Sequence, residues 1–435
     1  MRAPISRAAG PQYSPRRRTS RIFAWTLYDW ANSAFTTIVV TFVYSTYFTG
    51  AFAADEVTGT AYWSRAVAVS AVLVALLSPL VGAMADRGGR RRTFLLASTL
   101  ICVGATAALA FVAPGMEHSV LLALSVFVVA NVAFEVGGVF YNSFLPDVAP
   151  PGKIGTISGL GWGVGYTAGI VSMLLALLAF VGFGGTEPWL GLSTEAGWSY
   201  RAVNLLVAGW FLVFSIPMFL LVKDEQVVRG RVGWGEAASE LKTTLQELGK
   251  FREIVKFLLA RLVYNDGLVT VFAFGGIYAQ GTFDFELSEV IVFGIVLNIV
   301  AGLGAFLFGF VDDRVGGKRT VLISIVALSF ASLLGVLAPN RFWFWIAGIG
   351  IGMFAGPNQA ASRSLMGRFV PEQRQAEFFG FFQFSGKITA FVGPLLLGIV
   401  ADMFGSQRPG VATVVVLFLV GGLILASVDE AEGIR

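Results

Sequence analysis

Apolar residues run along this chain in blocks of twenty or more, each closed by a short polar or glycine-rich interval. A helix rises 1.5 Å per residue, so about 20 apolar residues cross about 30 Å of hydrocarbon. The pattern therefore predicts twelve membrane-spanning helices, at 22–51, 61–85, 92–113, 119–146, 154–183, 201–222, 254–280, 287–311, 319–338, 341–367, 376–402 and 410–428. An even number of spans puts both termini on one side.

The longest polar interval, 223–253, falls between the sixth and seventh spans. It divides the chain into an N-tail (1–21), a first six-helix bundle (22–222), a linker (223–253), a second six-helix bundle (254–428) and a C-tail (429–435). Inside the linker, Trp234, Ala238, Leu241, Leu245 and Leu248 recur at helical spacing. That periodicity suggests an amphipathic helix on the membrane surface, with a plain linker helix as the simpler reading.

The two bundles echo each other. GAMADRGGRRR (82–92) matches GFVDDRVGGKR (309–319), and NSFLPDVAPPGKIGTISGLGWGVG (142–165) matches RSLMGRFVPEQRQAEFFGFFQFSG (363–386) at a constant offset. Pro150 falls on Pro371, Gly159 on Gly380 and Gly165 on Gly386. A repeat covering half the chain is the build of secondary transporters, with sites at the repeat interface. The expected fold class is an all-α polytopic membrane protein of two pseudo-symmetric bundles.

Composition agrees. Of 435 residues 56% are hydrophobic and 13% charged, with a mean hydropathy of +0.74, against about 25% charged in soluble domains. The net charge of +4 is not read as nucleic-acid binding, because its distribution matters more than its sum. The tail carries Arg2, Arg7, Arg16, Arg17, Arg18 and Arg21, and the 2–3 and 8–9 loops are also basic. The opposite face holds only Arg65, Arg201, Arg341 and Arg408. The positive-inside rule then predicts cytoplasmic termini in a cell (inner) membrane. An Arg-rich start and a long first apolar run argue for a true span, not a cleaved signal.

Cysteine and histidine offer little chemistry. With Cys102 and His118 the sole members of their kinds, a disulfide, a Cys/His metal site or a Ser-His-Asp triad is not expected. No enzyme activity, metal or cofactor is anticipated, and the protein is expected to be monomeric.

Charges inside the apolar blocks carry more. Each costs about 2.5–3.5 kcal/mol at mid-membrane on insertion scales, so each is a functional candidate. Asp29 heads a stripe with Asn32, Ser33, Thr36, Tyr44 and Tyr47 on one helix face. Asn131, Glu135, Gly138 and Asn142 align in the fourth span; Asp266, Thr270 and Phe274 in the seventh, beside Tyr264 and Asn265; Gln383, Lys387 and Phe391 in the eleventh. Such stripes must face a wet cavity or a partner helix. Lys387 is expected to pair with a carboxylate, Asp266 of its own half being the first choice. Glu135 has no same-half basic partner at its depth, and desolvation raises the pKa of an unpaired acid. Glu135 and Asp29 are therefore the preferred proton carriers, with Asp266 the third coupling candidate. Asp29, nearer the cytoplasmic mouth, suits a gate. Asn358 and Arg363 are polar positions in the tenth span, where Pro357 is expected to bend the helix.

The loop Gly82-x3-Asp86-Arg87-x-Gly89-Arg90-Arg91 resembles the 2–3 loop signature of the major facilitator superfamily. That resemblance implies that Asp86 caps a neighbouring helix, that Arg87 pairs across the cytoplasmic face, and that spans one, four, seven and ten line a central cavity. The second copy keeps Asp313 and Arg314 but adds Gly317. Asp86, Arg87, Arg90, Asp313, Arg314 and Arg363 are the gating candidates. YDWANSAF (28–35), FYNSFLPDVAP (140–150), ISGLGWGVGY (157–166), YNDG (264–267) and FFGFFQFSGKITAFVGP (378–394) further resemble the vacuole effluxer-like branch. Its fungal members are associated with moving amino acids out of the vacuole.

The expected function is a secondary active transporter working by alternating access on a small polar or zwitterionic solute. The solute would bind near Asp29, Asn32, Ser33, Glu135, Asn142, Tyr264, Asn265, Asp266, Asn358 and Lys387. Protons are the first coupling ion, sodium the second. Efflux of amphipathic compounds and a non-transporting sensor are the other readings.

Overall fold

A computed structural model describes residues 15–182, 187–224 and 233–434. Arg2 and Arg7 of the basic tail, the end of the fifth predicted span, and the side chains of Trp234 and Leu248 lie outside the described residues. The elements in chain order are α1 (Pro15–Ala34), α2 (Tyr44–Ala51), α3 (Glu56–Gly88), α4 (Arg91–Leu109), α5 (Ser119–Ser143), α6 (Leu145–Val148), α7 (Ile154–Ala176) and α8 (Trp198–Leu221). After the linker helix α9 (Trp234–Gln246) come α10 (Arg252–Phe283), α11 (Leu287–Val315), α12 (Gly317–Leu337), α13 (Arg341–Phe369), α14 (Gln375–Lys387), α15 (Val392–Phe404), α16 (Gln407–Ala426) and the short α17 (Glu430–Gly433).

Eleven helical segments among the described residues are long and apolar enough to cross a membrane. The predicted tenth span, α13, has the length, at 29 residues, but not the apolarity. Its C-terminal half carries Asn358, Gln359, Ser362, Arg363 and Ser364. These side chains are tolerated because α13 lies against α11, α12 and α7.

Local chemistry sets the ends. Asp55 accepts the Thr58 N–H at 2.8 Å and starts α3, the standard use of a short acidic side chain at an N-cap. Gly89 (φ 59°) closes α3 in the left-handed region, where only glycine is at ease. Two spans are not continuous. The first passes through a π-helical stretch at Phe35–Phe42 between α1 and α2, a geometry concentrated at functional sites. The eleventh breaks at 388–391, between α14 and α15.

Two inter-half seams, α3 on α14 and α7 on α11, place glycines against backbone. A Cβ on Gly82 would overlap the Ala376 carbonyl, and one on Gly380 the Ser78 carbonyl. In the other seam Gly309 meets Gly155 and Gly159 meets Ala305 in the same way. Gly82 and Gly309 are equivalent in the repeat, as are Gly159 and Gly380, so one contact is made twice. Small residues let helix backbones approach where lipid supplies no hydrophobic drive.

The linker helix differs from its sequence pattern. Ala237 and Thr244 form the buried side, while Ala238 and Leu245 are exposed. α9 packs on α3, and Thr244 accepts from Arg374 Nη1 at 3.1 Å. It is held by protein contacts, which turn its small residues inward.

Candidate functional site

Three polar layers join the halves. The first lies where α3 meets α4 and α11 meets α12, and is called the latch face below. Asp86 accepts the Glu377 N–H at 2.8 Å, at the start of α14. Its repeat equivalent Asp313 accepts Gly155 N at 2.7 Å and Thr156 N at 2.9 Å, together with the Thr156 hydroxyl, at the start of α7. Each carboxylate satisfies orphan N–H groups of a helix in the other half, where the helix dipole also favours negative charge. Around them Arg91 pairs with Asp147 at 2.6 Å and also donates to Gln375. Gln375 in turn donates to Asp147 at 3.0 Å. Arg368 pairs with Asp312 at 2.6 Å. Arg87 reaches the Glu236 carbonyl of α9 at 3.5 Å. Arg90 and Arg314 are exposed, and neither joins the latch among the described residues.

The second layer is centred on Arg363 of α13. Its Nη1 pairs with Asp29 Oδ2 at 3.1 Å and lies 3.4 Å from Asn142 Oδ1. Nε donates to Ser158 Oγ at 2.9 Å and Nη2 to the Ser158 carbonyl at 2.7 Å. The guanidinium lies over Trp25, 4.8 Å from the ring centroid. A planar fork stacked on an aromatic face and bonded on every nitrogen is a site that only arginine fills. Asp29 is thus not the unpaired acid that the sequence suggested. α7 can come this close because Gly161 leaves the space, a Cβ there standing 2.8 Å from Arg363 Nη2.

The third layer lies deeper. Lys387 Nζ is 2.6 Å from Glu135 Oε1, and Gln383 Nε2 donates to the other carboxylate oxygen. The expected Lys387–Asp266 pair is therefore corrected. Asp266 is only 2% exposed and accepts the Gly393 N–H at 2.8 Å, capping α15. That cap satisfies a backbone group freed by the break in the eleventh span, and Lys387, at the end of α14, meets the acid of the opposite half. Glu135 indeed has no same-half partner, but it is not unpaired. Both members retain some access to solvent, Lys387 at 31% and Glu135 at 15%.

The remaining candidates divide. Asn265 donates to the Gly386 carbonyl at 3.2 Å and accepts from Gln359 at 3.4 Å, beside the Glu135–Lys387 pair. Asn32 and Ser33 are half-buried on α1, Ser33 donating to the Asp29 carbonyl at 2.7 Å. Tyr264 is buried with its hydroxyl 2.8 Å from Ser362. Asn358 is buried and bonded to Ser324 of α12 at 3.0 Å, so these two face neighbouring helices and not the inter-half centre. Arg91, Asp147, Gln375, Asp312, Arg368 and Ser158 were absent from the candidate list. They lie at span ends, where polar residues are unremarkable, and only the approach of another helix gives them a role.

Two helical groups joined by paired carboxylate latches and inter-half ion pairs define a transporter of the major facilitator superfamily. The chain belongs to the vacuole effluxer Atg22 like family, whose pattern matches residues 50–435. It is 28% identical over 425 residues to the uncharacterized MFS-type transporter YxiO of Bacillus subtilis, covering 95% of this chain and 96% of that protein. To autophagy-related protein 22 of Coccidioides immitis it is 23% identical over 86% of this chain and 72% of that protein. Among solved structures it is similar to the proton:xylose symporter XylE (TM-score 0.76, 12% identity, 97% and 98% of the two chains). It is also similar to FucP in the outward conformation (TM-score 0.75, 10% identity, 95% and 98%). The protein is a multi-pass membrane secondary transporter and not an enzyme.

Proposed function

We propose that this transporter moves a small polar or zwitterionic solute by alternating access, driven by protons through the Glu135–Lys387 pair. The carrying observation is that this pair joins opposite halves, is part-exposed, and is the deepest of the three layers. An acid on one half facing an amine on the other matches a zwitterion in reverse. A solute ammonium would meet Glu135 and its carboxylate Lys387, which supports the amino-acid class implied by the resemblance to the effluxer branch. Protonating Glu135 would weaken its hold on Lys387 and loosen the central tie between the halves.

In this reading α13 also crosses the membrane and completes the twelve spans, the latch face is cytoplasmic in the inner membrane, and the structure is the state closed on that side. Asp86, Asp313 and the Arg363–Asp29 pair are then the bonds that must part before the solute can pass to the cytoplasm. Asp29 serves as a gate, near the mouth, more than as a substrate contact. Uptake of labelled amino acids into proteoliposomes, with and without an imposed pH gradient, tests the proposal. Glu135→Gln is expected to abolish the response to the gradient; unchanged gradient-driven uptake in that variant would refute the proton assignment.

A further inference from the structure

Arg261 of α10 is the charge that the polar layers leave over. It is 6% exposed and stacks on Phe382 with its guanidinium carbon 3.7 Å from the ring centroid. Nη1 donates to the Phe382 carbonyl at 2.7 Å and to Ser385 Oγ at 3.0 Å. No carboxylate lies within 4.0 Å of it among the described residues. Its Nε is buried and has no acceptor. Arg363, the comparable stacked arginine, has an acceptor for every nitrogen and a carboxylate partner. The difference matters, because a buried guanidinium without a counter-charge is strongly disfavoured unless something supplies one.

The neighbourhood shows where the counter-charge belongs. Arg261 contacts the turn of α14 that carries Gln383 and Lys387, the two residues bound to Glu135. The inter-half centre thus holds one carboxylate, Glu135, against two cations, Lys387 and Arg261. Asp266 does not restore the balance. It stands five residues further along α10, about 140° around the helix from Arg261, with its carboxylate on the start of α15. A zwitterion would leave the excess in place, whereas a solute with more carboxylates than ammonium groups would offset it.

We propose that Arg261 docks a carboxylate of the solute, and that the solute carried is a net anion, such as an acidic amino acid or a dicarboxylate. This rests on the inter-half solute site of the preceding section and narrows its substrate class. Nε and Nη2 lie on one edge of a guanidinium, the pair of donors that grips a carboxylate bidentately. The Phe382 ring and the carbonyl of that residue fix the plane.

The test uses the full chain in detergent and in proteoliposomes, with L-glutamate, succinate and the neutral isostere L-glutamine as probes. Glutamate or succinate is expected to stabilise the wild type against heat, and to compete for uptake, at concentrations at least about tenfold lower than glutamine. Arg261→Gln should reduce that ratio to less than about twofold, while Arg261→Lys should keep most of it. A ratio near one in the wild type, an undiminished ratio in Arg261→Gln, or no response to either anion would overturn the proposal. Should Arg261→Gln fail to fold, the wild-type ratio and Arg261→Lys decide. Preferred glutamine transport with the Glu135→Gln effect intact would sink this inference alone. An anion preference in a protein indifferent to Glu135→Gln would sink the proton coupling alone.

Discussion

Asn142 and Arg363 stand 221 residues apart at equivalent positions of the two repeats, and they touch, Arg363 Nη1 lying 3.4 Å from Asn142 Oδ1. Residues related by a pseudo-two-fold meet only beside its axis. The same guanidinium holds Asp29 and Ser158, so one side chain ties α13 to α1, α5 and α7 on that axis.

Removing it should open the latch face. Arg363→Ala leaves Asp29 buried without its cation, a loss of about 3–5 kcal/mol for a broken buried pair. A cysteine placed at the buried Ala360, in a Cys102→Ala background, should become reactive to a polar maleimide applied from the latch face. Unchanged protection would mean that Asp86 and Asp313 suffice for closure.

The central pair should show coupling that Asp266 does not share. In a double-mutant cycle on solute binding, Glu135→Gln and Lys387→Gln are expected to interact by about 0.5–3 kcal/mol, the range for contacting residues. The cycle of Asp266→Asn with Lys387→Gln should give less than about 0.5 kcal/mol. The reverse ranking would restore the same-half pair.

Gly161 should not tolerate a methyl group. Gly161→Ala would drive its Cβ into Asp29 and to 2.8 Å from Arg363 Nη2, with an overpacking cost of about 1–3 kcal/mol. Gly209→Ala, on α8 with nothing within 4 Å of its Cβ, is the control and should leave the melting temperature unchanged or slightly raised.

Asp266→Ala should loosen the broken eleventh span. Losing a helix cap costs about 0.5–2 kcal/mol, and amide exchange should rise first at Gly393 and along α15. Asp266→Asn keeps an acceptor oxygen and should exchange nearly as slowly as the wild type. Equal exchange in all three proteins would show that the cap does not hold the break.

A pH effect is expected at the α2–α3 corner. The Thr58 N–H and hydroxyl hold the Asp55 carboxyl below its ordinary value. A depressed folded pKa makes the cap's contribution complete above the unfolded value, about 3.9, and lost as pH falls through the lower folded one. Exchange at the start of α3 should therefore rise only in that acid window, and Asp55→Asn should remove the dependence.

Much of the molecule follows from the chain alone. Apolar block length places the spans because hydrocarbon thickness is fixed, and the internal repeat announces equivalent halves because it preserves the glycines at their seams. The polar stripes also pointed to Asp29, Glu135, Asp266 and Lys387, since helical periodicity assigns a face. What periodicity cannot assign is the partner. Whether Lys387 meets Asp266 or Glu135 depends on how far α14 runs before the break at 388–391 and on which half lies across from its last turn. The break itself turns Asp266 toward an unsatisfied N–H. Arg261 shows the same limit from the other side: its charge is plain in the sequence, but only the packing around it sets that charge against a ring, a carbonyl and a hydroxyl with no carboxylate in contact among the described residues.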